Sequence, residues 1–335
     1  MFGTDADPAG QWRQRAAAIR QRRMRSESEG HCAPRSFPGL AVRAARRSSN
    51  PVPLILSLLD RYHPTVGDFL EHVAELRAES RWNESFRNRR IEQIRAVEDG
   101  FELDGEGRFR HVLVATGHPG LAFPDGLERE PRTVHAYQPH DYAERVEIVG
   151  AGMAAATEWL NALAAGSSVV SVRRREPERR PLNLPRHLFT RRGLATFHRT
   201  TPPERAELLR SWSAPSYPPG RDWDEPLEHA VRAGRFRVAA ETNGAEQVIC
   251  ATGFKRGYTH DPLLAGLVVD HGLATAGSWI VLAPDSTVES LTNEERTLSL
   301  AGVAGQWAFP AGDTLMGAMY AARGFLRRVQ ACRSR

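Results

Sequence analysis

Short apolar runs alternate with amphipathic segments along this chain, and several of the runs end in a glycine turn. The apolar runs predict a hairpin at residues 101–109 and strands at 111–115, 146–149, 167–172, 236–240 and 247–251. Amphipathic spacing predicts helices at residues 66–80, 153–165, 203–212 and 314–329. Strands that alternate with helices are typical of an α/β fold built on a parallel sheet.

The most informative turn follows the strand that ends at residue 149. It has the pattern Gly-x-Gly-x-x-Ala, formed by Gly150, Gly152 and Ala155, and it leads directly into a predicted helix. In a dinucleotide-binding unit the first glycine permits the tight turn and the second lets the backbone approach a pyrophosphate. The third small residue allows the helix to pack closely on the strand, and the helix N-terminus faces the phosphates. The pattern therefore predicts a Rossmann-like βαβ unit.

The second strand of this unit indicates which nucleotide it takes. In such units the end of this strand meets the ribose 2′ position, about 20 residues after the first glycine. An acid there suits NAD, whereas this chain has Arg173, Arg174 and Arg175. We therefore expect Arg173 and Arg174 to contact the 2′-phosphate of NADP. The alternative is a solvated basic turn in an arginine-rich protein.

Composition excludes some classes of function. The net charge of +5 could suggest nucleic acid, but Lys255 is the only lysine, and 40 acidic residues nearly balance the 45 basic ones. Codon bias explains the arginines better, so we expect no nucleic-acid partner. No apolar run is long enough to span a membrane, and we find no spacing of metal ligands. Cys32, Cys250 and Cys332 lie far apart, which favours a reduced, cytoplasmic setting. Cys250 lies in an apolar strand and is expected in the core.

Three further turns carry a family resemblance. Ala115-Thr116-Gly117 and Ala251-Thr252-Gly253 each follow an apolar strand, and Ala311-Gly312-Asp313 precedes the last predicted helix. The two Ala-Thr-Gly turns lie on either side of the βαβ unit that contains the Gly-x-Gly-x-x-Ala turn. In this order the chain resembles the two-dinucleotide-domain flavoproteins, and among them the flavin-dependent monooxygenases that include the lysine and ornithine N-hydroxylases.

The resemblance implies a fold, two cofactors and further site residues. It implies a Rossmann-like NAD(P) domain at residues 131–258, inserted into an FAD-type α/β domain formed by residues 1–130 and 259–335. FAD and NADP would be the cofactors and a small molecule the substrate. Gly312 and Asp313 would contact the flavin, and Thr116, Gly117, Thr252 and Gly253 would lie where the domains meet. The family's first glycine turn, which holds the ADP half of FAD, has no counterpart before residue 100. We therefore expect the FAD-type domain to be incomplete and to bind FAD weakly or not at all.

Several alternatives stay open at this point. The protein could be a monooxygenase, a plain NADPH:acceptor reductase, or a non-catalytic NADP-binding remnant of a flavoprotein. Asp313 could serve only as a helix N-cap, and Trp307 and Phe309 are expected in the core. His118 could face the domain cleft, and Glu158 is most simply a surface acid. The sequence leaves the substrate and the oligomeric state open, a homo-oligomer included.

Overall fold

The computed structural model describes residues 1–24, 40–58, 62–180 and 184–333, so Cys32 lies outside the described residues. The α-helices of these residues are α1 (Gly10–Ala18), α2 (Leu40–Ser48), α3 (Val52–Leu58), α4 (Val66–Glu79), α5 (Trp82–Ser85), α6 (Met153–Ala164), α7 (Arg191–His198), α8 (Pro202–Trp212), α9 (Arg221–Arg232), α10 (Pro262–His271) and α11 (Leu315–Arg333). No helix in this part of the chain is both long and apolar enough to cross a membrane.

The strands of the same residues are β1 (Phe2–Gly3), β2 (Arg87–Asn88), β3 (Ile94–Val97), β4 (Gly100–Leu103), β5 (Gly107–Phe109), β6 (His111–Val114), β7 (Thr133–His135), β8 (Arg145–Val149), β9 (Ser168–Val172), β10 (Glu178–Arg179), β11 (Ser216–Tyr217), β12 (Phe236–Ala239), β13 (Gln247–Cys250), β14 (Thr275–Ala276), β15 (Trp279–Ile280) and β16 (Thr297–Leu300). The predicted helices and strands are therefore present, with their ends shifted by a few residues.

The larger sheet has five parallel strands in the order β12-β9-β8-β13-β7. Its central strand, β8, pairs on both sides, so that Ile148 lies between Ser171 and Ile249. These short apolar strands are covered on their faces, as parallel strands require. Helix α6 covers one face with small residues and one large one: Ala155, Ala156, Trp159 and Ala162 are all fully buried. This confirms the predicted strand–turn–helix–strand unit.

A second core lies around a smaller parallel sheet. Strand β6 pairs with β16, with Val112 opposite Leu298, and the antiparallel strands β3, β4 and β5 pack beside them. The fully buried residues here include Phe101, Leu298, Leu300 and Trp307, so the expectation that Trp307 lies in the core is confirmed. Within the described residues β6 pairs with β16 alone. Its other edge therefore faces no strand in this part of the chain.

Two segments pack across the predicted domain boundaries. Ile19, directly after α1, belongs to the core of the five-stranded sheet, and its carbonyl accepts a 2.9 Å hydrogen bond from Asn161 on α6. Conversely, Phe197 and Leu209, on α7 and α8, belong to the core of the smaller sheet. The boundaries at residues 131 and 258 stay a prediction, but the packing already shows that residues 184–212 cover the second core.

Candidate functional site

The turn between β8 and α6 has the geometry of a phosphate-binding turn. Gly150 has φ 133°, a conformation that favours glycine, and a Cβ atom there would lie 2.5 Å from the carbonyl oxygen of Ala251. The turn is thus pressed against the end of β13. Ala155 is fully buried at the contact between helix and turn. Gly150 and Ala155 therefore act as predicted, the first by its conformation and the second by its size.

Gly152 differs from Gly150 because nothing crowds it. A Cβ atom at Gly152 would find its nearest heavy atom, the Cα of Pro215, at 4.0 Å. Gly152 is the N-cap of α6, and the first intrahelical bond runs from the N–H of Ala156 to the carbonyl of Gly152. The N–H groups of residues 153–155 therefore precede the hydrogen-bond ladder and point out of the helix end. Open backbone at a helix N-terminus is what an anionic group needs.

The basic residues after β9 are in two different environments. The guanidinium of Arg173 lies 5.3 Å from the ring centroid of Trp159 and pairs with Glu176 at 2.9 Å, and its side chain is only 10% exposed. Arg174 and Arg175 are exposed. Arg174 is therefore free to reach a ligand at the sheet edge, whereas Arg173 is already held against α6. A contact from Arg173 to a 2′-phosphate would have to compete with Glu176.

The two Ala-Thr-Gly turns lie side by side in the structure. The chain after the first turn runs antiparallel to the chain after the second: the N–H of Ala122 donates to Gly253, and the N–H of Lys255 donates to Gly120. The hydroxyl of Thr252 donates to the carbonyl of Ala122. Gly117 and Gly253 have φ 74° and 77°, so both turns use glycine for its conformation. Thr116 is exposed beside them.

A column of aromatic rings fills the junction beside these turns, and sequence reasoning missed it. Phe254 lies between His118, at 4.2 Å, and Tyr137, at 4.8 Å between ring centroids. Tyr137 stacks in turn on His135, and the guanidinium of Arg15 lies 4.6 Å from the Phe254 ring. Only His118 was singled out from the sequence, because its neighbours in the column come from segments far apart in the chain. The column joins α1, both turns and the segment after β7.

The two histidines of the column are neutral near pH 7. Burial lowers the pKa of His118 to about 4, with smaller contributions from the positive charges of Arg256 and Arg15. Burial likewise lowers the pKa of His135 to about 4. Each ring therefore has a single N–H and no positive charge at neutral pH. The column presents neutral aromatic faces to the junction.

Glu158 is not the surface acid that the sequence suggested. Its side chain is fully buried, and one carboxylate oxygen accepts hydrogen bonds from Tyr142, at 2.8 Å, and His140, at 3.1 Å. Burial lowers the pKa of His140, but its hydrogen bond to Glu158 and the negative charge of that residue raise it above the ordinary value. Glu158 thus ties α6 to the segment at residues 140–142. The helical pattern did not reveal this, because the segment that covers Glu158 precedes β8.

The turn before α11 also departs from the sequence prediction. Thr314, not Asp313, is the N-cap: its hydroxyl accepts a 3.2 Å hydrogen bond from the N–H of Gly317 and donates to Ala311. Desolvation raises the pKa of the Asp313 carboxyl above its ordinary value, although the positive charge of Arg256 and a hydrogen bond with the side chain of Gln306 oppose this shift. A Cβ atom at Gly312 would lie 2.5 Å from the carbonyl oxygen of Gly302, so this glycine is required by close packing.

Two other sequence predictions can be placed. Cys250 is fully buried in β13, and burial raises the pKa of its thiol to about 11, as suits a core residue. Among the residues that the structure describes, no three His, Cys, Asp or Glu side chains are grouped so that they could hold a metal ion.

We compared the chain with known proteins. No protein-family model matches the chain, and no curated protein matches its sequence. Solved structures do match. The ornithine hydroxylase of Pseudomonas aeruginosa is 17% identical, with a TM-score of 0.66 over 99% of this chain and 91% of that one. The L-lysine 6-monooxygenase of Pseudomonas syringae is 15% identical, with a TM-score of 0.65 over 98% and 90%.

A third solved structure is the ornithine N-hydroxylase of Kutzneria sp. 744, with reduced FAD, NADP+ and L-ornithine. It is 15% identical, with a TM-score of 0.63 over 88% of this chain and 82% of that one. The chain has the fold of the two-dinucleotide-domain flavoproteins. The predicted fold class is therefore confirmed. Identities this low show the fold alone, so activity has to be argued from the site.

Proposed function

We propose that this protein is an NADPH-dependent oxidoreductase of the flavoprotein type that acts on a small molecule. The turn at Gly150 and Gly152 carries the proposal, because it places an uncrowded helix N-terminus at the end of a parallel sheet. The joined turns at Gly117 and Gly253 support it, since they lie at the junction that the predicted domain organisation assigns to cofactors. The solved hydroxylases with the same fold support it as well.

NADP fits the residues that are present. Gly152 leaves room for a pyrophosphate, and the helix end supplies N–H groups for it. Arg174 is exposed at the end of β9, where a 2′-phosphate would lie, and no acid of the strand competes for the ribose. A charge-assisted contact of this kind discriminates between NADPH and NADH by about tenfold to a hundredfold.

FAD fits the described residues in part. The carboxylate of Asp313, which interacts with Arg256 and Gln306, and the tight turn at Gly312 suit the flavin end, as the resemblance implies. Within the part of the chain that the structure describes, however, only the strand β8 leads through a Gly-x-Gly turn into a helix. The ADP half of FAD has no such turn there. This observation favours a second candidate function, a protein that binds NADPH and holds FAD weakly or not at all.

The contribution of the chain itself is position and exclusion of water. When both cofactors are bound, NADPH supplies a hydride that FAD accepts. The turn at Gly150 fixes the nucleotide, and the paired segments after Gly117 and Gly253 hold the two turns beside each other. The rings around Phe254 are uncharged and the guanidinium of Arg15 covers one of them, so together they help to keep water from the junction. Hydroxylation by a monooxygenase is the finer proposal, and a plain reductase is its alternative.

Nucleotide preference tests the proposal. We expect the purified chain to bind NADPH about tenfold to a hundredfold more tightly than NADH. Arg174→Ala should weaken NADPH binding by about tenfold and leave NADH binding unchanged. Arg221→Ala, which also removes one exposed arginine, is the matched control and should change neither value. Isothermal titration calorimetry gives all dissociation constants, and equal affinity of the wild-type chain for both nucleotides would contradict the proposal.

Flavin content separates the two candidate functions. A chain that purifies yellow with one FAD per protein, oxidises NADPH and consumes oxygen with a substrate supports the monooxygenase. Oxidation of NADPH without oxygen incorporation supports the reductase. A colourless chain that binds NADPH and takes up added FAD only weakly supports the second candidate.

A further inference from the structure

A groove that shares no lining residue with the Gly150 turn has an unusual distribution of charge. It encloses about 620 Å³ between residues 188–194 and one side of α11. Its floor is apolar and consists of Leu188, Phe189, Leu194, Phe309, Met319 and Tyr320. Met316 and Gln330 mark its ends along the helix. At 1.5 Å per residue this side of α11 is about 21 Å long, which suits an elongated ligand.

The floor offers apolar surface and few polar groups. Phe309 stacks on Tyr320 with ring centroids 4.8 Å apart, and Phe189 meets the edge of Phe309 at 6.2 Å. The hydroxyl of Tyr320 already donates to the carbonyl of Pro284. Tyr320 therefore presents its ring to the groove and not a free donor. A ligand would gain from this floor mainly by burying apolar surface.

The rim is cationic and lacks acidic partners. Three arginines line the groove, Arg191 on α7 and Arg323 and Arg327 on α11. None of the three pairs with a carboxylate in the described part of the chain. The next arginine along α11 behaves differently, because Arg328 pairs with Asp285 at 2.7 Å. The arginines of α11 that line the groove therefore have no carboxylate partner among the described residues, although the guanidinium of Arg327 donates to the carbonyl of Arg323 at 3.2 Å.

The positions of these arginines are electrostatically unfavourable without a ligand. Arg323 and Arg327 are four residues apart on one helix, where like charges destabilise the helix. Arg191 is the first residue of α7, whose first turn contains no acid, so its positive charge opposes the helix dipole. An anionic group between α7 and α11 would relieve both repulsions. An ammonium group would add to them.

We propose that this groove binds an apolar molecule with a single anionic head group, such as a medium-chain carboxylate. The apolar chain lies on the floor around Phe309, and the head group lies among Arg191, Arg323 and Arg327. The inference does not depend on the proposed oxidoreductase function, because it concerns binding in the absence of nucleotide. A cationic rim favours an anionic head group, whereas a site that selects an amine surrounds it with acidic side chains.

Three ten-carbon probes test the charge preference: decanoate, decanol and decylamine. Calorimetric titration of the full chain without nucleotide should show decanoate binding at least about tenfold more tightly than either of the others. Acetate, which has the head group without the chain, should bind at least about tenfold more weakly than decanoate. Decylamine binding as tightly as decanoate would overturn the proposal, and so would equal binding of acetate.

Substitutions then locate the site. Arg323→Gln together with Arg327→Gln should lower decanoate affinity by at least about tenfold, while NADPH affinity stays unchanged. Arg328→Gln removes a charge from the same helix outside the groove and should leave decanoate affinity within about twofold. Circular dichroism checks that each variant is folded. Unchanged decanoate binding by the double variant would show that the carboxylate binds elsewhere and would refute the assignment. NADPH binding is measured on the same samples, so the two proposals can fail separately.

Discussion

Two glycine turns in this protein lead into long helices, yet they serve opposite purposes. The turn before α6 is open at Gly152, where an added Cβ atom would find nothing closer than 4.0 Å. The turn before α11 is closed at Gly312, where an added Cβ atom would lie 2.5 Å from the carbonyl oxygen of Gly302 and 3.0 Å from the backbone nitrogen of Gln306. The first glycine leaves space for a ligand, and the second lets the chain pack against itself.

The difference shows why glycine alone does not identify a binding turn. Glycine is needed where a ligand or another part of the chain comes close to the backbone. At Gly152 the backbone is extended, with φ −91° and ψ −169°, so any residue could adopt it and conformation does not demand glycine. Because neither conformation nor close packing requires glycine at residue 152, we infer that the space beside it receives a ligand. At Gly312 the contact partner is already present in the fold.

The same substitution should destabilise the protein much more at the closed turn than at the open one, and this is the largest effect that we expect. Gly312→Val would push the backbone of residues 302 and 306 away from residue 312. It should lower the free energy of unfolding by more than about 3 kcal/mol. Gly152→Val meets no neighbour and should cost less than about 1 kcal/mol. Urea denaturation followed by circular dichroism measures both. Similar losses for the two variants would show that the turns do not differ in this way.

Nucleotide binding should reverse that order. Gly152→Val places a side chain where we propose that the pyrophosphate lies, so NADPH affinity should fall by about a hundredfold although the fold is kept. Gly152→Ala, with a smaller side chain, should weaken binding less and serves as the graded control. Calorimetric titration of folded protein gives the values. If NADPH affinity survives in Gly152→Val, the open turn is not the phosphate site.

The open turn could be predicted from the sequence because all of its determinants are local. Gly150, Gly152 and Ala155 lie within six residues, between an apolar strand and a helix whose patterns are clear. The family resemblance singled out the turns at Gly117 and Gly253, but it did not predict the hydrogen bonds that join them. Helix α9 was not predicted, because it contains Pro226 and begins within a proline-rich stretch. Helices α2 and α3 were missed because most of the segment around them is rich in arginine, serine and proline.

Features that depend on tertiary contacts were beyond the sequence. The column through Phe254 combines residues from four separate segments, and no local pattern joins them. The burial of Glu158 depends on Tyr142, which lies before the strand that precedes α6. The groove along α11 needs residues 188–194 on its other side, and these lie far from α11 in the chain. Chain order alone does not tell which core such a segment covers.

The smallest effect that we expect refines the description of the closed turn. The sequence suggested Asp313 as the helix cap, but in the structure the hydroxyl of Thr314 accepts the hydrogen bond from Gly317. Thr314→Ala should therefore lower the free energy of unfolding by about 1 kcal/mol, the usual cost of losing an N-cap. Asp313→Ala should cost less than half of that, because Thr314 caps the helix, and the Asp313 carboxylate contributes a hydrogen bond with Gln306 and a favourable interaction with the helix dipole. Urea denaturation of both variants measures the difference. A larger loss for Asp313→Ala would mean that the carboxylate caps α11 after all, and Asp313 would then be less free to meet a flavin.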